Sequence, residues 1–215
     1  IPGKVSVSRL YPELLNETDN SYEISKKIEA MEPRKPRFIG GEATSADKGT
    51  ATHLFLQFCD FSKLTPSVSS VKEEIARLIE LRFLPSNISE LIRANEIATF
   101  AASKFFDTIL NGKKIHREFR FNVFLPAEDF TDISDQKILF AGEKILVQGV
   151  IDLCLEDADG NLILCDYKSD RLSREALNDR RLAKQFLSER HAKQLKYYAQ
   201  AIELIMGKRP DKIYI

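Results

Sequence analysis

Tryptophan is absent from the 215 residues, methionine occurs twice and histidine three times, and neither sign of charge is in excess, with Lys+Arg and Asp+Glu both at 32. A net charge of zero removes the strongly basic footprint of a freestanding polyanion-binding domain, so any nucleic-acid contact has to be local or assisted. Also missing is any apolar run near the ~18 residues needed to cross a bilayer. The first residues, "IPGKVSVSRL", contain no signal-peptide core. A cytoplasmic chain without membrane association is the expectation. The three cysteines, Cys59, Cys154 and Cys165, are odd in number, lack CxxC spacing and sit in apolar runs. That argues against a disulfide framework and fits buried thiols in a reducing compartment. No internal repeat, low-complexity segment or GxxxxGK[ST] phosphate loop is found, so no ATP site is expected in this stretch of chain.

What is there suits one domain, or one with an elaborate subdomain: 43% of residues are hydrophobic and 30% charged, enough to bury a core. Residues 1–48 carry breakers and charges, with Pro33, Pro36, Gly40 and Gly41 inside "MEPRKPRFIGGEATSADKG", and read as an extended lead-in. Residues 49–215 form the remaining domain, with a helical part at 49–112, a sheet at 113–170, helices at 172–207 and a final strand at 211–215. "GTATHLFLQFCDF" reads as a helix with Leu54, Phe58 and Phe61 on one stripe and His53, Gln57 and Asp60 on another. "SVSSVKEEIARLIELRFL" begins with serine caps and early glutamates, and "SELIRANEIATFAASKFFDTILNG" supplies one or two further helices. "KKIHREFRFNVFL" then alternates with period two, "QKILFAGEKILVQ" gives the next strand, and two more follow. Helices, a run of antiparallel strands, helices and a last strand define an α/β or α+β class with a mixed sheet. Both ends of the chain, Ile1 and the strand-like "DKIYI", suggest a piece of a longer protein.

The stretch "GVIDLCLEDADGNLILCDYKSD" holds the chemistry. With Val147–Glu156 and Leu162–Lys168 as strands around the turn "DADGN", pairing Glu156 with Leu162 puts Asp152 directly opposite Asp166, with Lys168 on the same face. Facing carboxylates are destabilising unless something offsets them. Lys168 can neutralise one, and the pair is an oxygen-ligand nucleus for Mg²⁺ or Mn²⁺. Lys168 is then available to hold a water or stabilise an oxyanion beside the metal. The competing reading is a charged outer face of a half-exposed sheet. Leu162 and Leu164 on the face of Asp166, and Cys154 on that of Asp152, argue against it. A slip of one residue would separate the two aspartates.

Asp152 followed by Asp166-Tyr167-Lys168 resembles the D…(D/E)xK signature of the PD-(D/E)XK nuclease superfamily. "GTATH", Glu118 within "REFRF", "GVID", "DYKSD" and "QLKYY" together resemble the ordered motifs of RecB-family nuclease domains. "KVSVSRL" and the closing strand look like the nuclease domain at the C-terminus of AddA-type helicase-nucleases. The resemblance covers nearly the whole chain. It implies the restriction-endonuclease-like fold, with His53, Asp152 and Asp166 as metal ligands, the Tyr167 backbone carbonyl completing the site, and Lys168 as the catalytic lysine. Glu118 matches the strand acid that holds a second metal or a water, and is otherwise part of a solvated strand face. Gln194 and Tyr198, at i and i+4 on one helical face, are implied to lie near the DNA or the metal site. Tyr198 is otherwise a core residue, and Tyr197 has the wrong spacing. His116 and His191 lack such context. Relatives holding an iron-sulfur cluster have one Cys near the first motif and three near the C-terminus. Here Cys59 follows the first motif, the others are absent, and no cluster is expected.

The implied activity is Mg²⁺- or Mn²⁺-dependent phosphodiester hydrolysis of DNA, exonuclease in type, within double-strand-break repair and recombination. The implied partners are DNA, as a single strand fed by a helicase, helicase domains upstream in the same protein, and an AddB-type protein. The basic segment "RRLAKQ", with Arg180, Arg181 and Lys184, either contacts the DNA backbone or is a solvated helix face. The alternative function is a DNA-binding or scaffold domain that keeps the fold and not the chemistry. Intact Asp152, Asp166 and Lys168 argue against it.

Overall fold

The computed structural model describes residues 4–7, 43–130, 138, 140–168 and 178–215. It divides into two compact units, Asn16–Gly112 and Ile1–Leu15 with Lys113–Ile215. The lead-in expected between 8 and 42, and the start of the last helical region at 172–177, lie outside the described residues.

In the Asn16–Gly112 unit the described residues form α1 (Ser45–Phe58), α2 (Val68–Glu80), α3 (Ala94–Ala101) and α4 (Lys104–Leu110). Thr44 caps α1, which starts four residues earlier than the sequence suggested. The Thr44 hydroxyl accepts from Asp47 N at 3.2 Å, and Asp47 Oδ2 accepts from Thr44 N at 2.8 Å, a reciprocal cap. The expected apolar stripe is also displaced: Ala51 and Phe55 are buried, whereas Phe58 is 37% exposed and Phe61 lies beyond the helix. Ser67 caps α2, as its sequence predicted, and Ser103 caps α4. Glu74 of α2 is buried and binds Arg77 and the backbone N–H of Asp60, at 2.7 Å to each. Burial alone raises a carboxyl pKa, but these donors hold it below its ordinary value.

The other unit is built on a five-stranded mixed sheet: β1 (Lys4–Ser6), β2 (Lys114–Pro126), β3 (Lys144–Glu156), β4 (Leu162–Cys165) and β5 (Lys212–Tyr214). β1 pairs parallel with β3, β2 and β4 pair antiparallel with β3, and β5 pairs parallel with β4. This is the α/β class with the mixed sheet that the order of elements implied. Two strand bounds differ from those expected. "EKILVQ" and "GVIDLCLE" form one continuous strand, because β2 runs along β3 from Lys144 to Glu156. β4 stops at Cys165 rather than continuing to Lys168, because the Asp166 N–H turns to the Tyr214 carbonyl, 3.1 Å away. The long helix α5 (Arg180–Met206) packs its second half on the sheet, where Tyr197, Tyr198, Ala201 and Ile202 meet Phe121, Val147 and Leu164 in the core.

Candidate metal centre and active site

β3 is the element that assembles the site. Its whole length on one edge is taken by β2. A strand has two edges, so the other is shared: β1 covers Leu146–Gln148 and β4 covers Leu153–Glu156. Between those stretches lie Gly149, Val150, Ile151 and Asp152, without a ladder partner on that edge among the described residues. The "GVID" stretch therefore sits where β1 and β4 diverge from the central strand.

The hairpin register agrees with the sequence reading, Glu156 facing Leu162 and the last ladder pair joining Leu153 to Cys165. Asp152 and Asp166 occupy the next pair of positions, just beyond the ladder. There the Asp152 side chain takes over from the backbone, its Oδ2 accepting from Tyr167 N at 2.6 Å. Asp166 is buried, 2% exposed, and its Oδ2 lies 2.5 Å from Lys168 Nζ. Lys168 thus reaches back over Tyr167 onto the aspartate.

Glu118 stands across from Asp152 in the β2–β3 register, yet this pair is missing from an otherwise continuous ladder. The reason is local. Glu118 has φ +48°, a left-handed conformation that costs an L-residue of order 1–3 kcal/mol and clusters at functional sites. It also shifts the pleat: Phe121, Val123 and Leu125 are buried in strict alternation after it, whereas Ile115 before it is 38% exposed and His116 meets the Phe119 ring edge-on at 5.6 Å. A carboxylate oxygen of Glu118 lies within 4.8 Å of one of Asp152. A solvated strand face does not describe this half-buried position beside another acid.

α5 supplies the remaining groups. Gln194 Nε2 donates to the Tyr198 hydroxyl at 2.9 Å, and both residues are buried. Burial, followed by the negative charges of Asp166, Asp152 and Glu118, raises the Tyr198 phenol well above its ordinary pKa, so it stays neutral. The Tyr198 ring meets Phe121 edge-on at 5.8 Å. Tyr197 points elsewhere, stacked on Phe130 at 4.9 Å with its hydroxyl donating to the Asp129 carbonyl at 3.1 Å. Tyr198, not Tyr197, is therefore the tyrosine of the site.

Sequence reading missed Gly149. A Cβ there would fall 2.6 Å from Phe121 Cζ and 3.3 Å from Tyr198 Cε1, so the rings that flank the acids need a glycine beneath them. Its place three residues before Asp152 was the available signal. His53 lies on α1 in the other unit and is half-buried. The cysteines are core thiols: all three are free and buried. Burial pushes Cys154 up to about 11, and burial with the neighbouring Asp152 and Asp166 raises Cys165 further.

Glu118, Asp152 and Asp166 set three carboxylates against the one ammonium of Lys168. Hard oxygen donors with excess negative charge fit a hard divalent cation. Among the described residues no helix is long and apolar enough to cross a membrane. A family model described as the PD-(D/E)XK nuclease superfamily matches residues 6–213. Similar proteins include the larger chain of an ATP-dependent helicase/nuclease from Clostridium botulinum (strain Loch Maree / Type A3), 35% identical over all of this chain and 16% of that protein. The protein of the same name from Bacillus cereus (strain Q1) is 33% identical over 94% of this chain and 16% of its own length. The chain thus spans about a sixth of these curated relatives. A match over nearly the whole chain, falling on a site of strand carboxylates and a lysine, shows that the chain belongs to the PD-(D/E)XK nuclease superfamily.

Proposed function

We propose that this chain is the metal-dependent deoxyribonuclease domain of a helicase-nuclease, cutting phosphodiester bonds exonucleolytically in the repair and recombination of double-strand breaks. The observation that carries the reading is the convergence of Glu118, Asp152, Asp166 and Lys168 at the divergence point of β3. Asp152 and Asp166 are the proposed ligands of Mg²⁺ or Mn²⁺, with the Tyr167 carbonyl beside them and His53, from its place in "GTATH", as a further ligand. Such a cation, when bound, polarises the scissile phosphate and lowers the pKa of a water. Glu118 holds a second cation or a water through its carboxylate. Lys168 exchanges its contact with Asp166 for the attacking water or the developing negative charge. Gln194 and Tyr198 orient the phosphate through the neutral phenol, which is a donor at any physiological pH.

The repair role, the cytoplasmic location, the upstream helicase domains, the AddB-type partner and the single strand delivered by a motor rest on the family resemblance, and belong to the proposal. Isothermal titration of the chain with Mn²⁺ tests the ligand set. Wild type should bind and Asp152→Ala should lose binding, whereas a wild type that binds no metal would favour a scaffold over a nuclease.

A further inference from the structure

The two halves of α5 differ in character. From His191 onward it buries His191, Gln194, Leu195 and Tyr198 among others, whereas none of residues 181–190 is buried. A helical segment without a buried face gains no stability from packing. This one nevertheless carries two large apolar side chains, Leu182 at 47% and Phe186 at 41% exposed. Arg181, Lys184 and Arg190 stand there against one acid, Glu189, in a chain of zero net charge. Gln185 Nε2 donates to the Glu189 carboxylate at 2.9 Å, and the Arg190 guanidinium lies 5.7 Å from the Phe186 ring centroid.

We infer that the amino-terminal half of α5 is a docking surface for single-stranded DNA that leads to the active site, an inference resting on the nuclease reading above. Exposed cations beside an aromatic ring match the two features every single strand presents, a row of phosphates and a row of π-faces. Phe186 stacks on a base while Arg181, Lys184 and Arg190 meet phosphates. Phe186 and Tyr198 are twelve residues apart on one helix, about 18 Å along its axis. A strand laid along α5 therefore arrives at the carboxylates within a few nucleotides. A protein partner would call for a contiguous apolar patch. Here two apolar side chains are set among cations.

The test is fluorescence anisotropy of a labelled oligothymidylate titrated with the chain in EDTA, where binding is read without cleavage. Phe186→Ala should weaken binding about fivefold or more. Arg181→Gln combined with Lys184→Gln should lower the slope of log K against log salt by about 1.4, from about 0.7 per phosphate contact on a single strand. Lys104→Gln, an exposed cation on α4, should change neither, and melting curves should show all variants folded. Unchanged affinity and slope in the folded α5 variants overturn the inference, including the case in which those variants lose a protein partner. A wild type that binds the strand as described but cuts nothing when Mg²⁺ or Mn²⁺ is added sinks the nuclease reading and leaves the docking surface standing.

Discussion

Gly149→Ala is a one-methyl change beside the site. The added Cβ meets Phe121 Cζ at 2.6 Å and Cε1 at 2.8 Å, and Tyr198 Cε1 at 3.3 Å. Carbon pairs pack at about 3.5–4.0 Å, so the Phe121 ring has to retreat by about 1 Å. It is 3% exposed in a filled core and has little room to do so. Overpacking of this kind costs about 1–3 kcal/mol, which at about 2–4 °C per kcal/mol for a chain of this size lowers Tm by about 2–12 °C. The displaced ring contacts Tyr198, so the Gln194–Tyr198 pair moves with it and nuclease activity falls as well. Thermal melting followed by circular dichroism reads the first effect and strand cleavage the second. Phe121→Leu, which shortens the ring side of the clash, should restore part of both in the double variant, a non-additivity that only a direct contact produces. A Gly149→Ala variant with wild-type Tm and activity would refute the close approach.

Asp157 closes the β3–β4 turn, and its pKa is lowered from 3.8 to about 2, first by the Asn161 side chain and further by the backbone N–H groups of Asn161 and Asp159 and by Lys212. A depressed folded pKa contributes stability that is complete above the unfolded value and lost as pH falls through the folded one. Acid unfolding curves should therefore steepen between pH about 4 and about 2, and Asp157→Asn should flatten that limb. Tyr198→Phe keeps the ring and removes the hydroxyl that Gln194 binds at 2.9 Å. Cleavage should drop about tenfold, the equivalent of one hydrogen bond of about 1.4 kcal/mol, with Tm nearly unchanged. In wild type no limb of the pH–rate profile below pH about 10 should belong to this phenol. A thiol reagent such as Ellman's should leave the folded chain unlabelled and react with Cys59, Cys154 and Cys165 only on unfolding, because all three are buried; fast labelling of the folded protein would contradict their placement.

The site was legible where its cause is local. "DADGN" announces a turn, and once Glu156 faces Leu162 the positions of Asp152 and Asp166 follow by counting. Legibility stopped where the cause is distant. Nothing in "KVS" tells that Lys4–Ser6 joins β3 in parallel from far along the chain, so the gap at Gly149–Asp152 could not be foreseen. The left-handed Glu118 carries no signal either, since that conformation is usually announced by Gly or Asn. Asp166 was placed inside a strand, but the tie to Tyr214, near the far end of the chain, ends β4 at Cys165. The α1 stripe was misassigned because Leu54, Phe55, Leu56 and Phe58 are all apolar and periodicity cannot choose the buried face among them.

Cleavage of a labelled single strand by the purified chain with Mn²⁺, compared between wild type and Asp166→Ala, is the most direct test of the carboxylate site. The account predicts shortening of the strand by wild type and none by the variant at equal Tm. Equal cleavage by both would contradict it.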